Sequence, residues 1–339
     1  MKLRLLSILT LVALLFTMSS CLSWGTATKD PEPTETPIIN VHTLNGTTGF
    51  GMAKLMNDAK AGKTTEKYNF TVQTDAANVT AALLNGTADI AALPTNAAAN
   101  IYNKSEGGVV VLAVNTLGCL YLLTNQNETV TSFEDLRGKT VYVPAQNPTF
   151  IFTYLCQQNG LEVGKDITIN SSTYAQPAAL KDAVAGGVVD IAVLPEPMVT
   201  IAQSAAKNAE NGPTLTTAMD LTVEWNKVAQ DGSLVQGCVV VRRAFLEQYP
   251  EAVENFLAEY KASIEYLSTD VDSAAQMIVD NGIFTSAPVA KKALPKCNVC
   301  FLDGAAMKTA METYLGILFG IAPASVGGKL PAADFYYAK

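Results

Sequence analysis

Two stretches of the chain repeat one another at a fixed offset of 101 residues. Gly86-Thr87-Ala88-Asp89-Ile90-Ala91-Ala92-Leu93-Pro94 aligns without a gap on Gly187-Val188-Val189-Asp190-Ile191-Ala192-Val193-Leu194-Pro195. The same offset upstream sets Thr74 against Ala175, and Gly46-Thr47-Thr48 against Asn147-Pro148-Thr149. Each copy runs in one order: a short apolar run, a small or polar loop, then an amphipathic stretch, which is the pattern of βα units. Three separate elements keeping one offset point to an internal duplication. Two similar α/β lobes in one chain leave a cleft between them, and small ligands bind in such clefts at the carboxyl ends of parallel strands.

The amino end reads as an export signal followed by a tether. Lys2 and Arg4 precede an apolar run from Leu5 to Met18 that is short for a membrane span, and small residues Ser19-Ser20 lead to Cys21. This resembles the lipobox of bacterial lipoproteins, in which the Cys becomes the lipidated amino terminus, although Met18 stands where Leu is usual. An ordinary cleaved signal with an incidental Cys, or a membrane anchor, are the alternatives. Residues 1–20 are thus expected to be the signal and residues 21–37 a solvated tether, since Pro31-Glu32-Pro33-Thr34-Glu35-Thr36-Pro37 has nothing to pack. About 300 residues remain, enough for two lobes of ordinary size. The chain carries 23 basic and 31 acidic residues, a net charge of −8, with no basic cluster, which argues against nucleic acid as a partner.

Beyond Cys21 there are five cysteines: Cys119, Cys156, Cys238, Cys297 and Cys300. A zinc site at Cys297-Asn298-Val299-Cys300 would need a second pair or two His, and His42 is the only His of the chain. We expect no metal and no cofactor. The C-x-x-C falls in an apparent loop, as a local disulfide or as two quiet thiols. Cys119 and Cys238 each open an apolar strand and could approach one another if those strands pair.

The periodicity predicts strands over Ile38–Thr43, Asn69–Thr74, Asp89–Leu93 and Val109–Asn115, with helices over Phe50–Lys60, Ala77–Leu84 and Ala97–Tyr102, the last capped by Pro94-Thr95-Asn96. Leu120–Thr124 should cross to the second lobe, which repeats the plan with loops at Ala145–Thr149, Tyr174–Gln176 and Pro195–Pro197. Cys238–Arg242 is the return strand. From Arg243 onward the chain reads as helical throughout, packing back on the first lobe. The expected lobes are residues 38–120 with 240–339, and residues 121–239.

In this order the pieces resemble a known family: lipobox, acidic tether, Leu44-Asn45-Gly46-Thr47-Thr48-Gly49, Phe133-Glu134-Asp135-Leu136-Arg137-Gly138-Lys139, Asp190-Ile191-Ala192-Val193-Leu194-Pro195-Glu196-Pro197, and Val239-Val240-Val241-Arg242-Arg243-Ala244-Phe245. The chain is similar to the extracytoplasmic substrate-binding proteins of ABC importers, nearest the nitrate, taurine, alkanesulfonate and thiamine-pyrimidine branch. The resemblance implies an α/β, two-lobed periplasmic-binding-protein-like fold of type II, with two crossing strands as hinge. It also implies delivery of a small solute to a permease with its ATPase, by a monomer outside the cytoplasm that meets the membrane through its lipid anchor.

The cleft expected from the repeat would be lined by Thr47, Thr48, Gly49, Thr95 and Asn96 from one lobe and by Asn147, Thr149, Tyr174 and Glu196 from the other. Thr47, Thr48, Asn147 and Thr149 lie at helix starts, which favour anions such as a sulfonate or carboxylate through free N–H groups and the macrodipole; alternatively they cap their own helices. Glu196, stiffened between two prolines, suits an amine or a donor ring, or else satisfies the start of its own helix. Tyr174 is placed to stack on a planar ligand or to wall the cleft. Trp225 and His42 read as structural. Competing functions are a ligand-sensing or adhesive lipoprotein without transport, and an enzyme on the scaffold of thiamine-pyrimidine synthase. The latter lacks support: no nucleophile–base pair is spaced for catalysis.

Overall fold

The computed structural model describes residues 37–230 and 232–338, so the signal, Cys21 and most of the tether lie outside the described residues. Among the described residues no helix is long and apolar enough to cross a membrane.

Eleven strands form two sheets. The strands are Ile38–Leu44 (β1), Lys67–Gln73 (β2), Ile90–Pro94 (β3), Val109–Thr116 (β4), Leu120–Thr124 (β5), Thr140–Tyr142 (β6), Thr168–Asn170 (β7), Ile191–Pro195 (β8), Thr216–Asp220 (β9), Gly237–Arg242 (β10) and Val299–Leu302 (β11). The first sheet has the order β11-β4-β10-β3-β1-β2 and the second β7-β6-β8-β5-β9. Apart from β11, the two orders are the same once β2, β1, β3, β10 and β4 are matched to β7, β6, β8, β5 and β9.

The matching explains the crossings. In each sheet the strand beside β3 or β8 is antiparallel to both neighbours: β10 to β3 and β4, and β5 to β8 and β9. Strand β5 enters the second sheet directly from β4 of the first, and β10 enters the first sheet after the chain leaves β9. Each sheet is therefore completed by a strand that arrives from the other. The 101-residue repeat is visible as geometry. Strand β3 maps onto β8, and Gly86 and Gly187 both hold positive φ, 79° and 71°, in the left-handed turn that joins helix to strand.

The helices in the first half are Thr47–Phe50 (α1), Ala53–Lys60 (α2), Ala76–Leu84 (α3) and Thr95–Lys104 (α4); Asn147–Gln158 (α5), Pro177–Ala185 (α6), Met198–Asn208 (α7) and Leu221–Val228 (α8) accompany the second sheet. Then follow Arg243–Gln248 (α9), Pro250–Thr269 (α10), Val271–Asp280 (α11), Ala287–Ala293 (α12) and Gly304–Ile321 (α13). One face of the first sheet packs against α1, α2, α10, α11 and α12, through Phe50, Phe256, Tyr260 and Ile278 among others. Its other face, under α3, α4 and α13, joins a core that continues to α5 and α8 on the second sheet. Helices α6 and α7 cover the second sheet's remaining face.

Several expectations need correction. The region after Arg243 is not wholly helical, because β11 interrupts it and pairs with the edge of β4. Cys300 thus lies in a strand, not a loop. The last helix does not brace the first lobe alone: Tyr314 of α13 donates a hydrogen bond to Asn147 Oδ1 of α5 at 2.8 Å and sits 5.8 Å from the Trp225 ring. Strands β5 and β10 lie in different sheets, so Cys119 and Cys238 are not cross-strand neighbours. All five described cysteines are free thiols, and burial raises the pKa of Cys119 and Cys300 to about 12. Of the cap expected at Pro94-Thr95-Asn96, Pro94 is the N-cap, without a side-chain hydrogen bond, and Thr95 and Asn96 are already in the first turn.

Trp225 is fully buried, packs between Tyr154 and Tyr314, and donates from Nε1 to Ser233 Oγ at 2.8 Å. Replacing it by Ala removes a large side chain from the core that joins both sheets. Trp225→Ala should destabilise by about 3–5 kcal/mol. Urea denaturation followed by circular dichroism measures this, and a loss under 1 kcal/mol, on the order of a surface change, would show that the ring is not a keystone.

Candidate functional site

The loops after β1, β3 and β8 meet at one point. Thr47, the first residue of α1, is buried, and its hydroxyl donates to the Glu196 carbonyl at 2.8 Å. The same hydroxyl lies 3.6 Å from Cys297 Sγ. Glu196 N–H donates to the Cys119 carbonyl at 2.9 Å, which fixes the β8 loop against the crossing segment. Thus a residue from the first sheet touches a residue from the second, at the carboxyl ends of their parallel strands.

The candidate residues divide by what their side chains do. Thr48 is half-buried; its carbonyl accepts from Asn115 Nδ2 at 3.3 Å, while its hydroxyl finds no protein hydrogen bond among the described residues. Gly49 is buried, and a Cβ there would stand 2.1 Å from the Leu44 carbonyl oxygen, so this position shapes the loop. Thr95 is fully buried, and its hydroxyl donates to the Val235 carbonyl at 2.7 Å in the return segment. Asn96 is 9% exposed; its Nδ2 reaches the Ser325 carbonyl at 3.5 Å, and its Oδ1 is buried without a donor. Asn147 Oδ1 is held by Tyr314, and the Thr149 hydroxyl donates to the Pro144 carbonyl at 2.8 Å within its own loop. Tyr174 rests against Tyr142 with ring centroids 5.8 Å apart. Neither α1 nor α5 has a side-chain cap, so capping is not what Thr47, Thr48, Asn147 and Thr149 supply.

Glu196 is the one buried acid of the group, only 2% exposed. Its carboxylate accepts from Thr200 N–H at 3.2 Å and from the Thr200 hydroxyl at 3.0 Å, on the first turn of α7. Of the two readings open for it, the helix-start one describes its present contacts. Lys296 Nζ is 3.9 Å away, half in solvent. Burial outweighs these three favourable partners and holds the carboxyl pKa above its ordinary value.

A cavity of about 600 Å³ takes in Asn96 of this group, but not Thr47, Thr48 or Glu196. Asn96 from α4 and Gln146 and Phe150 from the start of α5 line it together, so residues accompanying both sheets contribute to one concavity. Gln146 itself was not foreseen; its positive φ of 65° at the N-cap of α5 is invisible in composition.

A model of the periplasmic substrate-binding protein of phosphonate ABC transporters matches residues 54–283. The chain belongs to that family. It is an extracytoplasmic substrate-binding component of an ABC importer, which binds a small solute for delivery to a permease. Among solved structures, an ABC transporter protein of Parabacteroides distasonis superposes with a TM-score of 0.72 at 23% identity, covering 89% of this chain and 99% of that one. The aliphatic sulphonate binding protein of Escherichia coli gives 0.68 at 15% identity over 88% and 92%. The nitrate-binding protein of Synechocystis PCC 6803 gives 0.59 at 13% over 86% and 84%. These likenesses are of fold. Among curated proteins none matches.

The raised Glu196 pKa has a signed consequence. A carboxyl whose pKa is higher folded than unfolded costs stability as pH rises from the unfolded value, about 4.3, through the folded one, and the full cost remains above it. Glu196→Gln removes that titration. Its stability relative to wild type should therefore be greater at pH 7 than at pH 4, as read by thermal melts across that range. An equal difference at both pH values would place the carboxyl at its ordinary pKa.

Proposed function

We propose that the solute binds where the β1, β3 and β8 loops meet and extends into the adjoining cavity. The observation that carries this is the Thr47–Glu196 hydrogen bond, which brings the carboxyl ends of strands from both sheets into contact. The lobes would be residues 38–120 with 240–339, and residues 121–239. A ligand touching both favours the shut arrangement by its difference in affinity for shut and open forms, a population shift that needs no chemistry. The protein acts as a carrier and not as an enzyme.

The division of contacts supports distinct roles. Thr48 and Asn96 are assigned to the ligand, and Glu196, whose carboxylate Thr200 already holds, to the frame. Thr47 and Gly49 shape the first loop, Tyr174 walls the far side, and Thr95, Asn147 and Thr149 hold the frame, since their polar atoms are already engaged. The loops Leu44–Gly49, Pro94–Asn96, Pro144–Thr149 and Pro195–Pro197 contain no Lys or Arg. An anionic head would then rely on N–H groups at the helix start, the Thr48 hydroxyl and Lys296. Phosphonates, sulfonates and nitrate are the first classes to test, given the names carried by the family and by its structural neighbours.

Thermal shift with methylphosphonate, ethanesulfonate and nitrate gives the direct assay. A true ligand raises stability by roughly 2.7 kcal/mol at a hundredfold excess over its Kd. Thr48→Ala should weaken that ligand about tenfold, near 1.4 kcal/mol, with an unchanged ligand-free melting point. Thr95→Ala should instead lower the ligand-free stability by about 1–2 kcal/mol, as a buried carbonyl loses its donor. Thr48→Ala binding like wild type would move the site elsewhere.

Attachment is the second part of the proposal: Cys21 is the lipidated first residue of a monomer held at the membrane by residues 21–37. The apolar run before Cys21 and the Pro/Thr/Glu stretch after it support this. Cys21→Ala should release the protein from the membrane fraction, and unchanged fractionation would refute lipidation.

A further inference from the structure

The cavity does not end at the cleft. It runs outward as a trough between α3 and α4, and the spacing of its lining explains why a trough is there. Ala77, Ala81 and Leu84 recur at i, i+4 and i+7 on α3, which places them on one face of that helix. Ala97, Ile101 and Lys104 recur in the same way on α4. Three of these six are Ala, so the helices meet along short side chains and leave space above the seam. Leu84, on the trough wall, is 51% exposed.

The two ends of the trough differ chemically. At the cleft end Asn96 is nine-tenths buried with Oδ1 lacking any donor, and Ser325 Oγ nearby is likewise buried and unpartnered. At the outer end stands Lys104, exposed and without an ion pair among the described residues, the one ionisable side chain that lines the cavity. Eight residues of α4 separate Asn96 from Lys104, roughly 12 Å along the helix axis.

We infer that the solute is an elongated amphiphile: a hydrogen-bond donor against Asn96, an apolar body along the α3–α4 trough, and an acidic group at Lys104. This rests on the cleft being the binding site, and it adds where the body of the ligand goes. An unmet buried acceptor selects a donor, because leaving it unpaired costs more than the bond itself contributes. A small-residue seam accepts methylene or aromatic carbon and gains by removing that carbon and Leu84 from water. Lys104 gives the far end its sign.

Calorimetric titration with ω-hydroxydecanoate tests this, beside decanoate, decanediol and ethanesulfonate. Wild type should bind ω-hydroxydecanoate about tenfold more tightly than decanoate, which lacks the donor, and than decanediol, which lacks the charge. Lys104→Gln should weaken ω-hydroxydecanoate about tenfold and leave decanediol as it was. Ala81→Trp, at an exposed position where folding tolerates bulk, should fill the trough and abolish binding of all three long probes while the response to ethanesulfonate persists. Long probes that bind Ala81→Trp as they bind wild type would overturn the inference. Ethanesulfonate binding without any long-probe binding would overturn it too, yet leave the cleft reading standing; no binding of any probe would count against both. Size-exclusion chromatography completes the test: a dimer that the long probes disperse would make the trough a self-association face instead.

Discussion

The architecture depends on one knot of backbone hydrogen bonds where the chain passes between sheets. Gln236, just before β10, donates its N–H to the Thr116 carbonyl at 2.9 Å and accepts from Cys119 N–H through its side chain at 2.7 Å. Its carbonyl accepts from Thr95 N–H at 3.2 Å. Asn298 closes the other side: its carbonyl accepts from Leu117 N–H at 3.0 Å, and its side chain donates to the Gly118 carbonyl. The outgoing and returning segments would otherwise carry unpaired backbone groups through the buried middle of the molecule. Two side-chain amides supply what neither sheet can.

That knot also positions the site. Thr95 is tied to Val235 and Gln236, so α4 begins at a fixed place relative to the crossing, and Asn96 follows one residue on. Glu196 is tied to Cys119 on the opposite side of the same segment. Asn96 is thus one residue from the bonds that fix Thr95, and Glu196 itself carries the bond to Cys119. In the closure proposed above these bonds lie at the junction of the lobes, where a ligand would bias it. The continuous core through Trp225, Tyr314 and α5 limits how far the lobes can part, because parting them fully would expose that packing.

The sequence carried the duplicated plan clearly, because Gly86 and Gly187, Asp89 and Asp190, and the strands after them are local signals set by turn chemistry and burial. Individual roles were less legible wherever a partner is distant along the chain. Nothing near Thr95 announces Val235, and nothing near Asn147 announces Tyr314. Strand β11 was missed because four half-buried residues at a sheet edge have no periodicity to show. The trough was hidden for another reason: Ala77, Ala81 and Ala97 read as ordinary helix formers, and only the packing of α3 beside α4 turns them into a floor.

The central claim is that the Thr47–Glu196 contact marks a closure that ligand favours. Pulsed electron–electron resonance between spin labels at exposed Asn45 and Thr173, one beside each sheet, measures that closure directly. Without ligand the distance distribution should include a longer, open population, and a saturating ligand found by thermal shift should collapse it onto the shorter one. A distribution that is the same with and without bound ligand would contradict the account.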